Sequence, residues 1–166
     1  KSLTVDQKAN IVQIVKSLIS SKHKSIILEG GAGTGKTILA IYLFKLINSD
    51  VNDFNFKEFG EDEVELLKLV TDLKKIYPNP SVALVVPMSS FRNTLKKVFK
   101  NVKGLNSSMV VGPAEISNRK YDILIVDESH RLRRRVNLGA YFGAFDIANK
   151  KLKLDKHSGN ELGWII

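Results

Sequence analysis

The sequence predicts an α/β fold of the P-loop NTPase type, a mostly parallel sheet flanked by helices. Three observations carry that reading. A phosphate-loop pattern, Gly30-x-x-x-x-Gly35-Lys36-Thr37, stands between an apolar run of strand length and an apolar helical stretch. Four short apolar runs alternate with amphipathic helical segments, the order that builds a parallel sheet. The last of those runs ends in Asp127-Glu128.

Bulk properties set the frame. At 166 residues, 43% hydrophobic and 26% charged, the chain is long enough for a sizeable core, and one domain spanning residues 1–166 is expected. No apolar run reaches membrane-span length, so no membrane partner is expected. The absence of cysteine excludes disulfides and thiolate metal sites and fits a cytoplasmic location. A net charge of +9 favours an acidic partner, most simply nucleic acid, although lysine-rich surfaces are common on ordinary soluble proteins. The opening Lys1-Ser2 and the apolar close Leu162–Ile166 read as the ends of a fragment of a longer protein.

Thr4-Val5-Asp6-Gln7 opens the first helix as a capping box, with Ile11, Val12, Ile14, Val15, Leu18 and Ile19 along one face. Gln7 has two candidate jobs, returning its amide to the cap or reading an adenine edge with one donor and one acceptor. Ser25–Glu29 follows as the first strand. The loop from Gly30 to Thr37 then supplies the chemistry. Backbone N–H groups of Gly30, Gly31, Ala32, Gly33, Thr34 and Gly35 would wrap phosphates at a helix N-terminus. Lys36 would contact the β- and γ-phosphates, and the Thr37 hydroxyl would ligate Mg²⁺. ATP and Mg²⁺ are therefore the expected ligands.

Phe54, Phe56 and Phe59 punctuate the next connection, either as anchors for the loop or as a stacking surface for a base. Glu61–Tyr77 reads as an amphipathic helix with acids first and Lys74 and Lys75 last, ended by Pro78 and Pro80. Val82–Val86 is a strand covered on both faces. Ser89 or Ser90 would cap the following helix, which runs to Gly104 with Phe91, Leu95, Val98, Phe99 and Val102 inward. Arg92, Lys96, Lys100 and Lys103 make a basic stripe, either a solvated face or a nucleic-acid surface. Met109–Val111 and Tyr121–Val126 are the last two strands.

Asp127 and Glu128, at the end of that last strand, form the pattern called Walker B. Asp127 would join the Mg²⁺ shell through water, and Glu128 would orient and deprotonate the attacking water. His130 would sense a phosphate, meet nucleic acid or cap the loop. Arg131, Arg133, Arg134 and Arg135 would bind phosphates or meet another part of the protein.

In this order, LTVDQ, GGAGTGKT, VVPMSS and ILIVDESH resemble motifs Q, I, Ia and II of superfamily 1 helicases. DESHRLRRRVNLGAYFGAFD followed by ELGWII is similar to the Schlafen group 3-type DNA/RNA helicase domain. The resemblance spans essentially the whole chain. It implies an incomplete first RecA-like lobe of a helicase-like, nucleic-acid-dependent ATPase. It also implies that Gln7 contacts adenine and that Pro87-Met88-Ser89-Ser90 follows a path for single-stranded DNA or RNA. Ser89, Ser90, Arg92, Lys96, Lys100 and Arg131 are the candidate nucleic-acid residues. The family's sensor motif and second RecA-like lobe, with its arginine fingers, are missing, so the chain alone is expected to turn over ATP hardly at all. A nucleotide-dependent switch without motor activity is the alternative function. A P-loop kinase is disfavoured because Asp-Glu suits water activation.

Overall fold

The computed structural model describes residues 3–21, 25–31, 33–53 and 55–166; the Ala32 and Phe54 assignments fall outside them. The chain forms two compact units, Lys1–Pro80 and Ser81–Ile166.

The first unit is built from three helices. Helix α1, Val5–Ser20, begins with the expected capping box, in which Gln7 N donates to Thr4 Oγ1 and Thr4 N donates to Gln7 Oε1 at 3.0 Å. Ile11, Val12 and Val15 are its buried residues. Helix α2, Lys36–Asn48, buries Leu39, Leu43, Phe44, Leu46 and Ile47, in keeping with its nearly continuous apolar sequence. A 3₁₀ segment, Phe56–Asp62, leads into helix α3, Glu63–Ile76, which packs on α1 and α2 through Leu66, Val70 and Leu73. The expected helix over Glu61–Tyr77 therefore starts two residues later. Phe56 and Phe59 are buried, the latter beside Tyr42 at 6.0 Å between ring centres, so these aromatics anchor the loop. Lys74, in the last turn of α3, donates to the carbonyls of Ile47 and Ser49 and so closes the C-terminal end of α2.

One expectation fails in this unit. Ser25–Glu29 is not a strand; it lies outside regular structure, with Ile26, Ile27 and Leu28 exposed. A strand exists only where a neighbour completes its ladder, and the described residues of this unit include no strand to pair with this run. Apolar composition alone did not reveal whether that neighbour would be there.

The second unit holds a parallel three-stranded sheet in the order β2-β1-β3. Strand β1, Val82–Val85, is central and fully buried. Strand β2, Val110–Val111, pairs Leu84 with Val110, and strand β3, Ile123–Val126, runs in register with β1 from Val82↔Ile123 to Val85↔Val126. The four expected strands are thus three among the described residues. Helix α4, Ser89–Lys100, buries Leu95 and Phe99. Its N-cap is Met88, without a side-chain cap, so neither Ser89 nor Ser90 plays that part. It also stops four residues before Gly104, which has φ +82 and serves a later turn. Val98, expected inward, is 38% exposed because the helix presents only a narrow face to the sheet.

Helix α5, Phe142–Lys151, and the short helix α6, Glu161–Ile165, complete the core. Phe145 and Trp164 pack together at 4.6 Å with Ala83, Val85, Val111 and Ile116 around them. Trp164 Nε1 donates to buried Asn149 Oδ1 at 2.6 Å, satisfying both polar groups inside that core. Trp164 therefore belongs to the interior, while Leu162 and Ile166 beside it are exposed. No helix among the described residues is long and apolar enough to cross a membrane.

Candidate functional site

The expected phosphate loop lies in the first unit and the Asp127-Glu128 pair in the second, so each half of the expected site is described on its own. Gly33 and Gly35 have φ +77 and +81, conformations open to glycine at little cost. They turn the chain from Gly31 into α2, whose first backbone bond runs from Leu39 N to Gly35 O. No side chain caps that helix start. Lys36 Nζ folds back over the loop and donates to Gly30 O at 2.7 Å and to Gly31 O at 2.6 Å. Thr34 Oγ1 adds a bond to Gly31 O at 2.9 Å. The result is an ammonium group held by two loop carbonyls near a helix N-terminus with no side-chain cap, and both the charge and the helix end favour an anion. The Thr37 side chain is half-buried in the first turn of α2.

Gln7 reaches this loop as well as its own helix. Its Nε2 donates to Thr34 O at 3.1 Å while its Oε1 accepts from Thr4 N. One amide thus couples the start of α1 to the phosphate loop. A primary amide has two donors and two lone pairs, so one of each is left after these bonds.

In the second unit, parallel strands deliver their C-terminal ends to one edge of the sheet. That edge brings together Pro87–Ser90 after β1, Gly112–Glu115 after β2, and Asp127–His130 after β3. Asp127 is buried at 6% exposure; its N–H donates to Val85 O, and its Oδ1 accepts from Glu128 N at 3.0 Å. Glu128 adopts a left-handed conformation, φ 54 and ψ 43, which costs a non-glycine residue roughly 1 kcal/mol. Its carboxylate lies 3.3 Å from His130 Nε2.

The candidate nucleic-acid residues separate on inspection. Arg92 leaves the basic stripe and turns inward, donating from Nη1 to Val86 O at 2.7 Å and lying 4.0 Å from Glu115. Gly112 makes this possible, since a Cβ there would sit 2.8 Å from Arg92 Nη1. Ser89 and Arg92 line a cleft of about 350 Å³ together with Glu115, Arg133, Tyr141 and Glu161. Ser90, Lys100 and Arg131 are exposed, and Lys96 is half-buried.

Tyr141 and Glu161 are residues that sequence reasoning missed. Glu161 is 1% exposed and accepts from Arg133 N at 2.6 Å and from the Tyr141 hydroxyl. Burial pushes the Glu161 carboxyl above its ordinary range, against the pull of those donors. Burial, then the neighbouring carboxylate, likewise raises the Tyr141 phenol. The only local clue was Asn160, whose side chain accepts from Gly163 N as the N-cap of α6.

The family model described as Schlafen group 3, DNA/RNA helicase domain, matches residues 23–162. No curated protein and no solved structure matches the chain.

Proposed function

This chain belongs to the Schlafen group 3, DNA/RNA helicase domain family, and from that premise we propose that it is the ATP-binding lobe of a nucleic-acid-dependent, Mg²⁺-requiring ATPase. The observation that carries the reading is the loop of residues 30–37. Its lysine already lies within hydrogen-bond distance of the loop carbonyls, at a helix start that no side chain caps. The carbonyl bonds hold the Lys36 ammonium at the loop, where it would meet phosphate oxygens. Gly33 and Gly35 let the backbone curve closely enough to present its N–H groups.

In this proposal Thr37 and Asp127 are each candidate Mg²⁺ ligands, and the metal would neutralise charge on the phosphate oxygens. Glu128 orients the attacking water and takes its proton, with His130 holding the carboxylate in place. Gln7 fixes the loop from behind and offers its remaining donor and acceptor to adenine. The basic surface of the second unit meets single-stranded DNA or RNA. A RecA-like partner lobe supplies the arginine finger.

Two substitutions test the assignment. Lys36→Ala is expected to weaken ATP–Mg²⁺ binding at least tenfold, roughly the loss of one charge-assisted contact, in a chain with an unchanged circular dichroism spectrum. Equal affinity in that variant removes the loop from nucleotide binding. Glu128→Gln, in a protein that includes the second lobe, should keep ATP affinity and lose turnover. If wild type itself binds ATP without any turnover stimulated by nucleic acid, the chain is a nucleotide-dependent switch.

A further inference from the structure

The second unit carries fifteen Lys and Arg against seven Asp and Glu, a net charge of +8, whereas residues 1–80 carry eleven against ten. Within the second unit, residues 129–160 alone hold eight of the cations and two of the acids. A second cleft, of about 320 Å³, opens in this stretch. It is lined by Arg134, Arg135, His157, Ser158, Gly159 and Asn160, and by no acidic side chain.

We infer that this cleft holds a backbone phosphate of single-stranded nucleic acid, with Arg134 as its principal cation. The inference rests on the nucleic-acid reading above and assigns it a place away from the α4 stripe.

The two acids of this stretch are already engaged. Asp146 accepts from Arg135 Nε at 2.7 Å and Nη2 at 2.9 Å, and Lys156 lies 3.7 Å from the Oδ2 that takes the second of these bonds. Those cations hold the Asp146 carboxyl below its usual range. Asp155 accepts from the N–H groups of His157 and Ser158 and from Ser158 Oγ. Arg134 is exposed, and its side chain makes no ion pair among the described residues. It is therefore the cation of the cleft with its charge still to be answered. Arg135 lies over the Phe142 ring, 5.1 Å from its centre, and is held there by its two bonds to Asp146, so one wall is preorganised.

The opposite wall is fixed from inside. Gly159 lies so close to buried Asn149 that a Cβ would come within 2.3 Å of Asn149 Oδ1, the atom that also accepts from Trp164 Nε1. Arg133 and Glu161 exchange backbone and side-chain bonds, which ties the two walls together. The neighbouring cleft at the sheet edge sets Glu115 and Glu161 against Arg92 and Arg133, whereas the Arg134 cleft has cations and no acidic side chain. Charge thus selects the Arg134 cleft. A space of about 320 Å³ takes one phosphodiester and its sugars.

The test is fluorescence anisotropy with short labelled oligo-dT and oligo-U on the whole chain across a salt series, without nucleotide. Arg134→Glu is expected to weaken both about tenfold and to lower the slope of log affinity against log salt by about 0.7, the share of one single-strand phosphate. Lys120→Glu makes the same charge change at the amino edge of the sheet and serves as the control. If the two variants match in affinity and slope, the inference is overturned. Orthophosphate at constant ionic strength separates the two sources of phosphate. Perturbation of the His157 NMR signals by orthophosphate, with oligonucleotide affinity unaffected by Arg134→Glu, makes this a free-phosphate site and overturns the strand assignment. ATP affinity measured on the same proteins keeps the readings apart. Loss of ATP binding in wild type, with Arg134-dependent oligonucleotide binding intact, removes the ATPase proposal and leaves this one standing.

Discussion

At Gly35 a Cβ would lie 2.4 Å from Gln7 Nε2, and the backbone already has φ +81. Alanine there meets two penalties, the left-handed conformation and displacement of the amide that holds Thr34. Gly33 has nearly the same backbone, φ +77, but nothing lies within 4 Å of its would-be Cβ. The pair therefore separates strain from contact. Gly33→Ala should cost about 1 kcal/mol in chemical denaturation, and Gly35→Ala about 1 kcal/mol more for the lost bond. Adding Gln7→Ala should leave Gly33→Ala its full cost and shrink the extra cost of Gly35→Ala. Equal costs for both glycines would show that Gln7 contributes nothing to the loop. Arg92 makes the complementary point. A regular i, i+4 spacing placed it in a basic stripe, yet the nearby Val86 carbonyl and a glycine at 112 draw its guanidinium inward.

Lys74 links two helices that the sequence presents separately. Its ammonium closes the end of α2 by donating to the backbone carbonyls of Ile47 and Ser49. Partial burial lowers the Lys74 pKa from its ordinary value, with Asp50 acting the other way. Removing the side chain leaves those carbonyls to water or to nothing. Lys74→Met, which retains most of the aliphatic packing, is expected to destabilise the chain by about 1–2 kcal/mol, read from denaturant midpoints. No change would mean that water replaces the ammonium without loss. Among the strands, β1 and β3 were legible because a run of four apolar residues has few other fates in an α/β pattern. Residues 26–28 are a similar, shorter apolar run and stay irregular. Strand formation depends on a neighbour's edge, and no property of the run itself supplies one.

Across the whole molecule, the pH dependence of stability has two arms of opposite sign. The raised Glu161 carboxyl keeps its proton in the folded chain where an unfolded chain has released it. Stability from this group therefore falls as pH rises from the ordinary glutamate value through the raised one. Asp146 and Asp155 are lowered, the first mainly by its bond with Arg135 and the second by backbone N–H groups. Their contribution is present above the ordinary aspartate value and is lost as pH falls through the lowered ones. Glu161→Gln retains an acceptor for Arg133 N but no longer titrates. Thermal unfolding between about pH 4 and pH 8 should show the variant gaining on wild type as pH rises, while the acid-side loss remains. Parallel curves for the two proteins would show that Glu161 binds its proton equally in the folded and the unfolded chain.

By itself the sequence determined the features that are local or periodic. The capping box of Thr4 and Gln7, the glycines of the phosphate loop, the three apolar faces of the first unit and the strand ending in Asp127 all follow from spacing within a few residues. The family, too, was readable from its motifs, because those residues stand in a fixed order along the chain. Only tertiary structure decided which strand runs found partners, which member of the basic stripe turned inward, and which distant residues meet at the sheet edge. Glu161 and Tyr141 are twenty residues apart and carry no shared pattern; their contact arises where α6 returns the chain to Arg133. Burial and pairing depend on what the rest of the chain places beside a residue. Cap and loop geometry depend mainly on the residue's immediate neighbours.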